Sequence, residues 1–322
     1  MPVQYQIAFW NLENLFDIQN SPRRSDKLQR AIGKDLDGWT QTQLDGKIGQ
    51  LASIIRKMNG GRGPEILGVC EVENKYVMGL LVEDLSSLRR KYSMLHHDMS
   101  DQRGIDVGFI FDADLFTAGD MFSHFVMRRT ATRDILQVNL STRKGRRFVI
   151  IGNHWPSRSG GEPESAGYRA IAGETLAYFH ERILEVLGAD TPILAMGDFN
   201  DEPFDPSLED YALSTRSQKK VINANIPRVL NLMWPLMGQG KGTLYFDNFP
   251  NIFDQFLANK NLLNDNSPIR VLQDTVQIVS FPEMLTKGQY PQPIPYGGMG
   301  DPVNPEGFSD HFPVAVTVQE AD

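Results

Sequence analysis

The sequence predicts one large α/β fold over residues 1–322, with many strands and fewer helices than a doubly wound sheet requires. Three observations carry this. Short apolar runs of buried-strand length recur from residue 4 to residue 318, helical periodicity is confined to a few windows, and no repeat or linker divides the chain.

The first strand is expected over residues 4–11, where alternation ends in aromatics. Residues 17–46 form a polar excursion whose main apolar member is Trp39, with at most a helical turn. Apolar residues at 48, 51, 52, 54, 55 and 58 then trace one helical face over residues 47–58, stopped by Gly60-Gly61-Arg62-Gly63-Pro64. Residues 66–71 read as a buried strand, 74–88 as a helix, and 105–111 and 135–140 as strands. Arg143-Lys144-Gly145-Arg146 is a turn, and the strand after it delivers Asn153 and His154. Residues 165–187 form the longest helix, 192–196 the strand that delivers Asp198, and 252–257 and 314–318 the last strands. Residues 288–307 hold so many prolines and glycines that neither helix nor central strand fits there.

Composition narrows the function. With 41% apolar and 22% charged residues the chain is an ordinary globular protein. No apolar run is long enough to span a bilayer, and Met1-Pro2-Val3-Gln4 lacks the start of a signal peptide. A cytoplasmic location is therefore expected, or a secreted or periplasmic one if a leader was removed. Its single cysteine, Cys70, excludes a disulfide framework and a cysteine-rich zinc site; within an apolar run it reads as an inert buried thiol. A formal charge of −8 excludes bulk electrostatic coating of nucleic acid but not a cleft with local arginines and a bound cation.

Several apolar runs end in polar side chains suited to chemistry. In order these are Asn11, Glu71, His154, Asp198 with Asn200, Asp254, and Asp310 with His311. Oxygen donors without thiolates suit a hard cation, and magnesium takes one or two carboxylates plus water and substrate phosphate. Glu71 is the best ligand candidate, ahead of Glu73 because it directly follows the apolar run, although alternation would aim both at one face. Asp310 and either Asn11 or Asp198 complete or extend that site. Arg103, Arg158 and Arg169 are candidates to hold substrate phosphate, guanidinium groups being suited to it, with ordinary surface arginines as the plainer reading. His96-His97-Asp98 lacks a spaced partner motif for zinc and reads as a partly exposed strand end. Trp39, Tyr290 and Tyr296 suit either stacking on a base or lipid-like group or pinning their own loops.

The set Trp10-Asn11-Leu12-Glu13-Asn14, Glu71-Val72-Glu73-Asn74, Arg103-Gly104-Ile105-Asp106-Val107, Asn153-His154-Trp155-Pro156-Ser157-Arg158, Gly197-Asp198-Phe199-Asn200-Asp201 and Ser309-Asp310-His311 resembles the endonuclease/exonuclease/phosphatase superfamily of metal-dependent phosphoesterases across nearly the whole chain. The resemblance implies a four-layer α/β/β/α sandwich of two mainly antiparallel sheets flanked by helices. It implies that Asp198, with Asn200, orients or deprotonates the attacking water, and that His311, partnered by Asp254, contacts the scissile phosphate or moves a proton. His154 matches a second histidine of the deoxyribonuclease branch, and Asn11 would contact phosphate or metal. Gln255 departs from the histidine or aromatic that many relatives carry there. The expected activity is a Mg2+-dependent phosphodiesterase, with Mn2+ as a substitute and nucleic acid as the leading substrate. A phosphatase or phospholipase acting on a small phosphorylated molecule or lipid head group is the alternative. A catalytically silent binding module is the reading from another class, and the intact set of polar residues argues against it.

Overall fold

The computed structural model describes residues 2–99, 101, 103–127, 132–158 and 160–322. Two large sheets pack face to face. In the first, β1 (Val3–Leu15), β2 (Ile66–Val72), β3 (Tyr92–His96), β4 (Asp106–Asp112), β14 (Ile269–Ile278) and β15 (Val314–Glu320) run in the order β14-β15-β1-β2-β4-β3. In the second, β5 (Phe116–His124), β6 (Ile135–Thr142), β7 (Arg147–His154), β8 (Ile193–Asp198), β9 (Ser214–Thr215), β10 (Val229–Asn231) and β13 (Asp254–Asn259) run in the order β5-β6-β7-β8-β13-β10-β9. A separate hairpin is made by β11 (Leu244–Phe246) and β12 (Phe249–Asn251).

Alternation along β1 explains the layering. Ile7 and Phe9 point between the sheets with Phe109, Ile150, Met196 and Phe256, while Ala8 and Trp10 point outward beneath α2 (Gln41–Gly61). Leu44, Ile48, Leu51 and Ile55 of α2 share one face of a 3.6-residue repeat and pack there with α3 (Lys75–Asp84). Leu176 and Ile183 of α4 (Glu162–Leu187) cover Val149, Ile151 and Ala195 on the other side. The result is the α/β/β/α sandwich, and most neighbouring strands are antiparallel.

The exceptions position the chemistry. β1 pairs parallel with β2, and β7 parallel with β8, so the C-terminal ends of all four strands meet at one edge of the sandwich. There Asn11 lies opposite Cys70, and Asp198 stands between His154 and Asp254. Gly197 is required for the fit, because a Cβ on it would lie 2.3 Å from Asn153 O.

Sequence and structure differ mainly away from that edge. Residues 17–46 hold α1 (Asp26–Ile32), capped by Ser25, as well as the first turn of α2, capped by Thr40. β5 and β14 are half-exposed strands whose apolar alternation is too weak to mark them in the sequence; the short α5 (Gln218–Ile222) and α6 (Lys260–Leu263) escape a periodicity argument altogether. Among the described residues no helix is long and apolar enough to cross a membrane.

Candidate active site

The site is built on strained backbone. Glu13, Asn14, Glu71 and Asn200 all adopt positive φ, at 49°, 59°, 61° and 51°. Such conformations cost about 1–3 kcal/mol each in a non-glycine residue and persist only where the surroundings enforce them. Here β1 and β2 lose register together between Asn11 and Leu15, and Asn14 N donates to Glu71 Oε2 at 2.9 Å. The kink corrects the expectation that Glu71 and Glu73 share a face. Glu71 turns toward His154, its Oε1 3.6 Å from Nε2, whereas Glu73 is buried against Arg24 and accepts from Asp17 N.

Around Asp198 the remaining groups converge. Asn11 Nδ2 donates to its Oδ2 at 3.1 Å, Asn200 N donates to its Oδ1 at 3.0 Å, and His154 Nε2 and His311 Nε2 lie 3.7 and 3.9 Å from Oδ2. Asn200 Nδ2 donates to Trp155 O, which ties the β8 corner to the end of β7. His311 Nδ1 meets Asp254 Oδ2 at 2.7 Å.

The two histidines are driven to opposite charge states. Burial disfavours the imidazolium of His311, but Asp254, Asp310 and Asp198 outweigh it and hold the ring protonated well above the usual histidine range. His154 is pushed well below that range by burial and then by Arg133, Arg103 and His311, so its imidazole is neutral. Burial raises Asp198 to about 6; Asp254 adds to the rise, and His311, Asn200 and Asn11 oppose it. Burial also raises Asp310, with Glu71 and Asp198 reinforcing it against His311 and Lys47.

That crowding of carboxylates is the feature a cation would relieve. Glu71 and Asp310 present oxygen donors beside a like-charged neighbour, and the nearby Cys70 thiol is buried and held protonated, its pKa raised well above the usual range. Oxygen donors of this kind fit a hard divalent cation. Two groups of side chains are close enough to share an ion, Cys70-His154-Asp198 and Asp198-Asp254-His311; His96, Asp98 and Asp106 form another where β3 ends beside the start of β4, and His96 there is partly exposed as expected, with its ring tucked against Asp106.

Two of the three candidate arginines are engaged by protein groups around the loop after Asp198. Arg169 is fully buried, with Nε 2.7 Å from Asp201 Oδ1 and its other nitrogens on Ser165, Pro156 O and Glu162 O. Arg158 donates to Asn200 O, Asp201 and Asp205 and lies over the Phe253 ring. Both brace the loop after Asp198. Replacing Arg169 with methionine leaves Asp201 buried with less compensation, and a loss of about 3–5 kcal/mol is expected on chemical denaturation; an unchanged midpoint contradicts this role. Arg103 is the one left half-exposed at the rim, with Asp101 4.0 Å away.

Three contributors, Arg133, Lys47 and Thr243, carry no recognisable motif, and a fourth, Glu13, lies within the Trp10–Asn14 motif without being a candidate in the sequence. Arg133 donates to His154 O and Trp155 O and pairs with Asp101, fixing the end of β7. Lys47 is fully buried on the apolar face of α2, where its ammonium meets Glu13 O and Glu13 Oε2; a lysine in an apolar stripe was the available signal. Glu13, raised to about 7 by burial against the pull of Lys47, accepts from Tyr296 N and Gly297 N and so anchors the loop that leads to Asp310. Thr243 Oγ1 accepts from Phe253 N and Asp254 N, and its carbonyl accepts from Phe312 N, tying the two halves of the Asp254–His311 pair together. Trp39 and Tyr296 are buried against each other and pin their loops, and Tyr290 is exposed.

Comparison with known proteins fits this geometry. The model of the Endonuclease/Exonuclease/phosphatase family matches residues 6–320. No curated protein matches the chain in sequence. Among solved structures, an endonuclease/exonuclease/phosphatase family protein from Bacteroides thetaiotaomicron is 16% identical with TM-score 0.56, each chain covered in full. The human Nocturnin catalytic domain with bound sulfate anion is 13% identical with TM-score 0.51, over 100% of this chain and 97% of that one. A mannosyl-6-phosphatase from Bacteroides thetaiotaomicron is 14% identical with TM-score 0.56, over 98% of this chain and 99% of that one. These likenesses establish the fold, and the family match extends over nearly the whole sequence. The chain therefore belongs to the endonuclease/exonuclease/phosphatase family and is a hydrolase of phosphoester bonds.

Proposed function

We propose that this hydrolase is a magnesium-dependent phosphodiesterase acting on nucleic acid. The observation that carries the reading is the His311–Asp254 pair, 2.7 Å apart, with His311 Nε2 facing Asp198 Oδ2 at 3.9 Å. A charged hydrogen-bond donor and a carboxylate acceptor thus border one small space, which is what hydrolysis at phosphorus requires.

Asp198 accepts a hydrogen bond from the attacking water and takes its proton, with Asn200 holding the corner in place. His311, kept cationic by Asp254, donates from Nε2 to a phosphate oxygen and stabilises the charge that grows there. His154, neutral, approaches the same phosphate from the Glu71 side, and Asn11 and Arg103 steady it. Glu71 and Asp310, with Asn11 nearby, would hold the magnesium, or manganese in its place, which when bound polarises a phosphoryl oxygen.

Because Asp198 must be ionised to accept a proton, kcat/KM should fall about tenfold per pH unit below about pH 6 in wild type. A rate that stays flat from pH 7 down to pH 4.5 contradicts the assignment. The substrate class is tested with plasmid DNA, RNA, inositol phosphates, sphingomyelin and a chromogenic phosphodiester. Cleavage of DNA or RNA is expected; hydrolysis confined to inositol phosphates or lipid would replace the nuclease reading by the phosphatase or phospholipase one.

A further inference from the structure

The β11–β12 hairpin is rooted directly in the catalytic pair. Thr243, immediately before β11, binds the backbone of Asp254 and Phe312, as described above. On the other strand, Asn251 Nδ2 donates to Glu202 Oε1 at 2.9 Å and Ile252 N donates to Glu202 Oε2 at 3.1 Å. Glu202 belongs to the loop that leaves Asp198 and Asn200. The hairpin therefore rises from the seam between the two halves of the site.

Its two faces differ. Tyr245 packs edge-on against Phe312, so alternation sends Leu244 and Phe246 to the opposite face. Phe246 pairs across the hairpin with Phe249, and Leu244 with Asn251. Phe246 and Phe249 thus share the face of Asn251, which looks toward the Glu202 loop. Both rings are open to solvent, 70% and 72% exposed, and Phe204, two residues beyond Glu202, is 51% exposed. At about 3.4 Å per residue the Phe246 position stands roughly 10 Å from Thr243, within reach of a group attached to a phosphate bound at His311.

Exposed aromatics beside a cleft suit two occupants, and the tip of the hairpin decides between them. Asp247 and Asn248 form the turn beyond the phenylalanines, both with positive φ, and Gln292 Nε2 braces Asn248 Oδ1 at 2.6 Å. Insertion into a lipid surface would bury the Asp247 carboxylate first, at a large cost. Stacking on the side of the ribbon leaves that turn in water. The three rings are also uncharged, which matches a flat neutral base rather than the phosphate chain.

We infer that Phe246, Phe249 and Phe204 form a base-stacking subsite that engages an unpaired nucleobase next to the scissile phosphate, making single-stranded nucleic acid the preferred substrate. This rests on the nucleic-acid reading of the active site. Base–aromatic stacking is worth about 1–3 kcal/mol per base, which corresponds to roughly five- to hundredfold in affinity.

The test is isothermal titration in EDTA, where hydrolysis is suppressed, of oligothymidylate and of an equally long abasic oligomer into wild type, Phe246→Ala/Phe249→Ala and Phe204→Ala. Wild type should bind the base-bearing strand at least fivefold more tightly. The double variant should lose most of that preference, its binding of the base-bearing strand falling close to that of the abasic one, and Phe204→Ala should reduce it. Because all three side chains are exposed, the variants should keep the wild-type circular dichroism spectrum and melting temperature. If wild type cleaves oligothymidylate in magnesium but the double variant keeps the full preference for bases, the subsite is wrong while the nuclease reading stands. A wild type that neither binds nor cleaves the strand overturns both. Loss of binding to phosphatidylcholine–phosphatidylserine vesicles in the double variant, without change on the strand, assigns the hairpin to a lipid surface instead.

Discussion

Replacing His311 with alanine should lower kcat on a phosphodiester by on the order of 100- to 1000-fold, the usual scale for a positioned acid or an electrostatic group at the reacting centre. The size follows from its surroundings. His311 is buried, its charge is maintained by Asp254 at 2.7 Å, and its free nitrogen points at the carboxylate that handles the water. Little else near that space can supply the same donor, since His154 is held neutral by burial and by Arg133. Asp254→Asn should produce a smaller fall, because the amide keeps a partner for the ring but withdraws the charge that keeps it cationic. Steady-state kinetics on folded variants checks both. Equal activity of His311→Ala and wild type removes the histidine from the mechanism.

The second large effect is expected at Glu71. Glutamine in its place can still accept from Asn14 N, so the kink between β1 and β2 survives, but the carboxylate charge is gone. Activity at low magnesium should drop by on the order of 100-fold and recover in part as magnesium rises, because a lost ligand weakens the ion more than it alters the chemistry. A magnesium activation curve superimposable on that of wild type contradicts the ligand assignment. Glu73→Gln supplies the contrast: its carboxylate is bound by Arg24, and its loss should lower stability without moving the metal requirement.

Much of this was legible in the sequence because the site lies where strands end. Apolar runs close at Asn11, Glu71, His154 and Asp198, and the structure brings those ends to one edge through two parallel strand pairs. The pairing of Arg158 and Arg169 with protein carboxylates is not legible in the sequence, for a physical reason. A guanidinium that suits phosphate suits a buried carboxylate equally well, and only the fold shows that Asp201 reaches them first. Lys47, Arg133 and Thr243 act through contacts with residues far along the chain, which no local spacing encodes. The edge strands β5 and β14 were missed because a half-exposed strand buries too few side chains to leave a clear alternation. The kink at Glu71 shows how a regular pattern misleads: alternation assigns Glu71 and Glu73 to one face, and a single positive φ separates a proposed metal ligand from a structural ion pair.

The most direct measurement is nicking of supercoiled plasmid by purified wild type in magnesium, by wild type in magnesium with EDTA, and by His311→Ala in magnesium. Nicking is expected in the first reaction, none in the second, and a rate in the third reduced by on the order of 100-fold or more. Nicking that survives EDTA, or that the variant performs at the wild-type rate, contradicts a metal-dependent nuclease centred on His311 and Asp198.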